Sequence, residues 1–136
     1  MMGKPNIDHV GIATNSIDEA SAFWEALGLV AKQDHTNHEQ GVRIRMFEGD
    51  EETPKVELLE PLGQETPVGK FIERRGVGIQ QIAFTVDNIE DTINELRQSG
   101  FMMINDVPTE GIEGTLIAFV HPSSTGGVLV ELVQRN

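Results

Sequence analysis

His9 stands in an alternating run, Ile7-Asp8-His9-Val10-Gly11-Ile12-Ala13, and Gln81 takes the same place in Ile79-Gln80-Gln81-Ile82-Ala83-Phe84-Thr85, 72 residues later. Two glutamates are matched in the same way. Glu57 in Lys55-Val56-Glu57-Leu58-Leu59 and Glu131 in Leu129-Val130-Glu131-Leu132-Val133, offset by 74, are each a lone carboxylate in a run that reads as an apolar strand. An ionised carboxylate buried without a partner is costly, so such a pair asks for cations. One imidazole and two carboxylates meet the usual ligand requirements of a divalent metal, and the two negative charges neutralise it. Gln81 is the soft member of the quartet. Its neutral amide oxygen is a poor ligand for zinc beside imidazole, so it either coordinates weakly or hydrogen-bonds a bound water. A single strand histidine is usually a satisfied polar residue and a single edge glutamate is usually solvated; it is the matching of four positions that makes a site of them.

The elements that must carry these residues repeat as well. The offset of 72 holds without a gap from Ile7 on Ile79 through Ile17 on Ile89, Asp18-Glu19 on Glu90-Asp91, Gly28 on Gly100 and Leu29 on Phe101. In the first half, 6–13 alternates as a strand and Ser16-Ile17-Asp18-Glu19 reads as a capping box opening a helix. Ile17, Ala20, Phe23, Trp24 and Leu27 follow helical spacing up to Gly28. Strands are expected at 29–36, 41–48 and 54–60, with turns at His38-Glu39-Gln40-Gly41 and Gly49-Asp50-Glu51-Glu52. The second half predicts a strand at 79–86, a helix from about 88 to 99 stopped by Gly100, and strands near 101–105, 115–121 and 127–134. Between them lies a linker with one short helix around Val68–Glu73.

A βαβββ module has too few strands to bury its own apolar face. The expected fold is therefore α+β: one domain of two tandem βαβββ modules, about 6–61 and 78–134, joined by a linker helix within about 62–77. The modules would share one curved, cup-shaped mixed sheet, with helices outside and the function inside the curve. Strand alternation puts Val10 and Ile12 on the helix-packed face and makes Ile82 and Phe84 core. His9, Gly11, Gln81 and Ala83 share the other face.

Other candidates read as structure. His35, His38 and Glu39 lie in a polar turn region, Arg74-Arg75 ends the linker helix where its dipole favours cations, and His121-Pro122 opens the turn before the last strand. There is no Gly-rich phosphate loop, since Gly76-Val77-Gly78 lacks dinucleotide-fingerprint spacing, and there is no nucleophile motif.

Ten Lys and Arg against 22 Asp and Glu give a formal charge of −12, which repels phosphate backbones and anionic lipid, so no nucleic-acid or membrane partner is expected. No apolar run approaches a bilayer span, and no apolar h-region follows the start MMGKPNIDHV. With no cysteine in 136 residues there is neither a disulfide framework nor a thiolate metal site, and the expected location is cytoplasmic.

Over nearly its whole length the chain resembles the vicinal oxygen chelate (glyoxalase/bleomycin-resistance) superfamily, and within it the methylmalonyl-CoA epimerases. The resemblance rests on Ile7–Ala13, Glu39–Val42, Lys55–Gly63, Gly78–Phe84 and His121–Gln134. It implies paired βαβββ modules, a divalent metal in the cup, of which cobalt, zinc, nickel, manganese and magnesium are all open, and a homodimer. It places metal ligands at His9, Glu57 and Glu131, with Gln81 as the fourth member. The implied activity is epimerisation of a 2-methylmalonyl-type acyl thioester by α-proton abstraction, with Glu131 and Glu57 as bases on opposite faces. A glyoxalase I-like lyase acting on a thiol hemithioacetal, or a non-catalytic small-molecule binding module, would use the same fold. Two departures stand out. Gln80-Gln81 replaces the family's usual His-His, and Ser123 stands where a lysine is common in the turn after His121.

Overall fold

The computed structural model describes residues 3–50 and 54–135, so Glu51 and Glu52 of the second expected turn lie outside the described residues. The chain is α+β and packs as two compact units. One is His9–Gln80; the other combines the described residues of Met1–Asp8 and Gln81–Asn136.

The first unit carries β1 (Asn6–Ala13, from His9 onward), α1 (Ile17–Leu27), β2 (Val30–Ala31), β3 (His35–Asn37), β4 (Val42–Glu48), β5 (Lys55–Pro61) and α2 (Pro67–Arg75). Its sheet is mixed: β1 runs parallel to β5, with Gly11 opposite Glu57, and β5 is antiparallel to β4, with Met46 opposite Glu57. The short β2 and β3 both pair with β4. The second unit repeats the plan with β6 (Gly78–Thr85, from Gln81 onward), α3 (Ile89–Gln98), β7 (Thr109–Glu110), β8 (Leu116–Val120) and β9 (Leu129–Gln134). There β6 is parallel to β9, with Ala83 opposite Glu131, and β9 is antiparallel to β8, with Phe119 opposite Glu131.

Local chemistry sets the helix boundaries. The Ser16 hydroxyl accepts from Glu19 N–H at 3.2 Å to open α1, and Gly28, at φ 111°, closes it. Asn88 Oδ1 accepts from Asp91 N–H at 3.0 Å to open α3. A second cap comes from the far end of each module. Ile17 N–H donates to Glu60 Oε1 and Ile89 N–H to Gln134 Oε1, both at 2.8 Å, so the last strand of each module ties down the first turn of its helix. This matched pair of bonds is the sequence repeat expressed as structure.

Two expected strands differ. The run 29–36 is divided into β2 and β3. Between them the Asp34 carboxylate turns to accept from Arg43 Nη2 at 2.6 Å and from Arg45 Nε at 2.6 Å, which breaks the alternation. The run 101–105 keeps only a bridge from Met103 to Val120, because the Asn105 side-chain oxygen takes Phe119 N–H at 2.8 Å in place of a ladder bond; extended structure resumes at β7.

The core also differs from expectation. Ile82 and Phe84, expected as core, are only half-buried; Ile12 packs against the cluster behind α1 as expected of the helix-packed face, and His9, Ala13, Gln81 and Ala83 are buried. In the second unit the face that carries Gln81 also has a buried cluster of its own, Ala83, Ile117 and Val133. Behind α1 sits a cluster of Ile17, Phe47 and Leu58 with Trp24 against it; behind α3 sits one of Ile89, Ile93, Met103, Ala118, Val120 and Leu132. Among the described residues no helix is long and apolar enough to cross a membrane.

The Asp34 cluster gives a pH prediction. Its hydrogen bonds from Arg45 and then Arg43 outweigh partial burial and hold the Asp34 carboxyl below its ordinary value of 3.8. A depressed folded-state pKa contributes stability that is fully present above the unfolded pKa and is lost as pH falls through the folded one. Asp34→Asn should therefore lower stability at neutral pH by about 2 kcal/mol, the usual worth of a charge-assisted hydrogen bond. Thermal unfolding of both proteins from pH 7 to pH 2.5 should show the gap closing below pH 4; a gap independent of pH would show that the pair does not act through the carboxylate charge.

Candidate functional site

The two candidate pairs, one in each unit, are built by one local rule. On β1 and β5, Gly11 lies opposite Glu57, and the missing side chain lets the carboxylate lean toward the residue two positions earlier, His9. His9 Nε2 and Glu57 Oε1 are 3.5 Å apart, both buried. On β6 and β9 the small residue is Ala83, opposite Glu131, and the residue two positions earlier is Gln81. Here Gln81 Nε2 donates to Glu131 Oε1 at 2.7 Å, again between buried side chains. All four residues are at most 6% exposed. The register partners of the two glutamates are apolar or small: Gly11 and Met46 beside Glu57, and Phe119 with Ala83 beside Glu131.

The two pairs differ chemically. Two donors on one tetrahedral ion, each about 2.1 Å from it, stand about 3.4 Å apart. The His9–Glu57 spacing matches that separation. The Gln81–Glu131 distance is that of a direct hydrogen bond, in which the amide donates and its own oxygen faces elsewhere. Within the first unit, the buried imidazole of His9 and carboxylate of Glu57 are a nitrogen and an oxygen donor of the kind a divalent cation takes.

The remaining candidates are placed as structure. His38 and Glu39 are exposed at the turn before β4, and His35 lies on β3 opposite Ile44. Arg74 and Arg75 are exposed in the last turn of α2. His121 Nδ1 accepts from Ser123 N–H at 3.0 Å, so it caps the turn before β9, and Ser123 is exposed. One buried acid escaped the sequence reading. Asp8, next to His9, accepts from Arg135 Nε and Nη2, both at 2.8 Å, and from the Thr85 hydroxyl at 3.0 Å. The signal is the charged residue at the third position of the strand 6–13, but its cation lies 127 residues away.

A profile of the Glyoxalase/Bleomycin resistance protein/Dioxygenase superfamily matches residues 8–119. The chain belongs to this superfamily. It is 38% identical over 129 residues to the uncharacterized protein YqjC of Bacillus subtilis, covering 94% of this chain and 91% of that one. It is 34% identical over 139 residues to the ethylmalonyl-CoA/methylmalonyl-CoA epimerase of Cereibacter sphaeroides, covering 98% and 99% of the two chains. The fold matches methylmalonyl-CoA epimerase of Streptomyces coelicolor, solved in complex with 2-nitronate-propionyl-CoA, with a TM-score of 0.91, 34% identity, and 95% and 93% of the two chains covered. The resemblance read from Lys55–Gly63 and His121–Gln134 thus holds for superfamily and epimerase branch alike.

Proposed function

We propose that this protein is a divalent-metal-dependent epimerase of a 2-methylmalonyl-type acyl-CoA thioester. The observation that carries the reading is the pair of buried carboxylates at matched strand positions, Glu57 and Glu131, each with a polar partner two residues along the neighbouring strand, in a chain whose relatives include such epimerases. In this reading both modules form one cup-shaped domain, and His9, Glu57 and Glu131 hold the ion, with Gln81 at its edge. The ion is one of cobalt, zinc, nickel, manganese or magnesium. When bound, it supplies Lewis-acid charge for the substrate's thioester and carboxylate oxygens, worth several kcal/mol of barrier.

The protein's own groups move the proton. The substrate carbon lies between a thioester and a carboxylate, so its hydrogen is acidic enough for a carboxylate base in a dry site. Glu131 takes it. The hydrogen bond from Gln81 to Oε1 fixes the plane of the carboxylate, and Glu131 would loosen from the ion as it takes the proton. Glu57, its counterpart in the other module, starts protonated and gives its proton to the opposite face of the same carbon, so that inversion leaves Glu131 protonated and Glu57 ionised. The apolar side chains beside Glu131, Ala83 and Phe119, keep water from competing for that proton. The absence of cysteine fits a reducing compartment, and we place the enzyme in the cytoplasm as a homodimer.

The test compares two substrates on one metal-loaded preparation in deuterated water. α-Proton exchange of a 2-methylmalonyl thioester should outrun isomerisation of a glutathione thiohemiacetal. A preference for the thiohemiacetal would make the protein a glyoxalase-type lyase, and inactivity on both would make it a binding module.

A further inference from the structure

On the sheet face that carries α3, away from the Gln81–Glu131 pair, the second unit holds a cavity of about 350 Å³. That is the size of a small-ligand pocket. The repeat shows what it lacks. Its walls include Leu96 and Val120, which stand where the first module has Trp24 and Phe47. In the first module those aromatic rings pack on the cluster behind α1. In the second, truncation to aliphatic side chains leaves the space open, while Phe84 and Phe101, in place of Ile12 and Leu29, give it two aromatic walls.

The lining also restricts the chemistry of an occupant. Its hydroxyls are engaged: Ser124 Oγ accepts from Met102 N–H at 2.8 Å, Thr92 Oγ1 donates to the Asn88 carbonyl at 2.9 Å, and Thr125 Oγ1 donates to the Pro122 carbonyl at 3.2 Å. Asp87 is the charged residue of the lining, and in a chain of net charge −12 it disfavours carboxylates and phosphates. The floor, formed by Val130 and Leu132 of β9, is apolar.

We propose that this cavity is a second ligand site, separate from the epimerase site, for an uncharged aromatic molecule the size of an indole ring. The occupant is inferred from the first module, where the indole of Trp24 packs against the core cluster at the matching position. The site does not depend on the proposed activity, and its test needs no turnover.

The probe is indole, titrated into the whole protein by calorimetry and followed by methyl NMR. Indole should bind one per chain and shift the methyl signals of Leu96, Val130 and Leu132. Leu96→Trp, which restores the first module's residue, should weaken indole binding at least tenfold and raise the melting temperature. Val120→Phe fills the same space from the opposite wall and serves if Leu96→Trp fails to fold. Saturable binding in wild type that is lost on filling supports the site. No binding, binding unchanged in the filled variants, or stronger binding of decanoate than of indole would each overturn it.

Discussion

Glu131→Gln should slow α-proton exchange of a 2-methylmalonyl thioester by about three orders of magnitude, within the 10²–10⁴-fold range for loss of a general base. The amide has nearly the shape of the carboxylate and can still accept from Gln81 through its oxygen, so the fold is preserved and thermal stability should change by no more than about 1 kcal/mol. At saturating metal the loss should fall on kcat with little change in KM, because the proton acceptor acts in the transition state and not in substrate binding. Glu57→Gln should slow epimerisation comparably when the substrate is the enantiomer whose proton faces Glu57. Single-turnover exchange on each enantiomer separates the two bases. Exchange within tenfold of wild type in Glu131→Gln would remove Glu131 from the base role and leave it as a ligand only.

Metal binding should fail first at His9. Equilibrium dialysis should find one divalent ion per chain in the wild type and affinity at least a hundredfold lower in His9→Ala. Loss of an outer-shell partner of a metal ligand already costs 10–100-fold, and a direct ligand costs more. Chelation should abolish proton exchange, and readdition of cobalt, manganese, nickel or zinc in turn should show which ion restores it. The Gln81–Glu131 hydrogen bond sharpens the companion experiment. Gln81→His restores the family's usual imidazole and should raise zinc or nickel affinity by about tenfold, or 1.4 kcal/mol, with less effect on manganese. Unchanged affinity for both ions would mean that the residue serves only to position Glu131. Stoichiometric metal in His9→Ala would end the case for this site.

The elements with local causes were legible in the chain itself. Ser16 and Asn88 cap helices through bonds spanning three residues, Gly28 and Gly100 stop them through a positive φ, and strand alternation is a matter of every second side chain. The same alternation, with the offsets of 72 and 74, singled out His9, Glu57, Gln81 and Glu131, and the structure buries all four. What depended on partners far along the chain was not legible. The division of 29–36 into two strands follows from Asp34 meeting arginines 9 and 11 residues away. The hydrogen bond that makes Gln81 a partner of Glu131 spans 50 residues, and the pairing of Asp8 with Arg135 spans 127. Nor could the sequence show that substituting Leu96 for Trp24 and Val120 for Phe47 leaves a cavity, because compensating enlargement at Phe84 and Phe101 is a question of where volume falls in three dimensions. Period and capping act over a single turn or pleat; register, ion pairing and packing are settled only when distant strands meet.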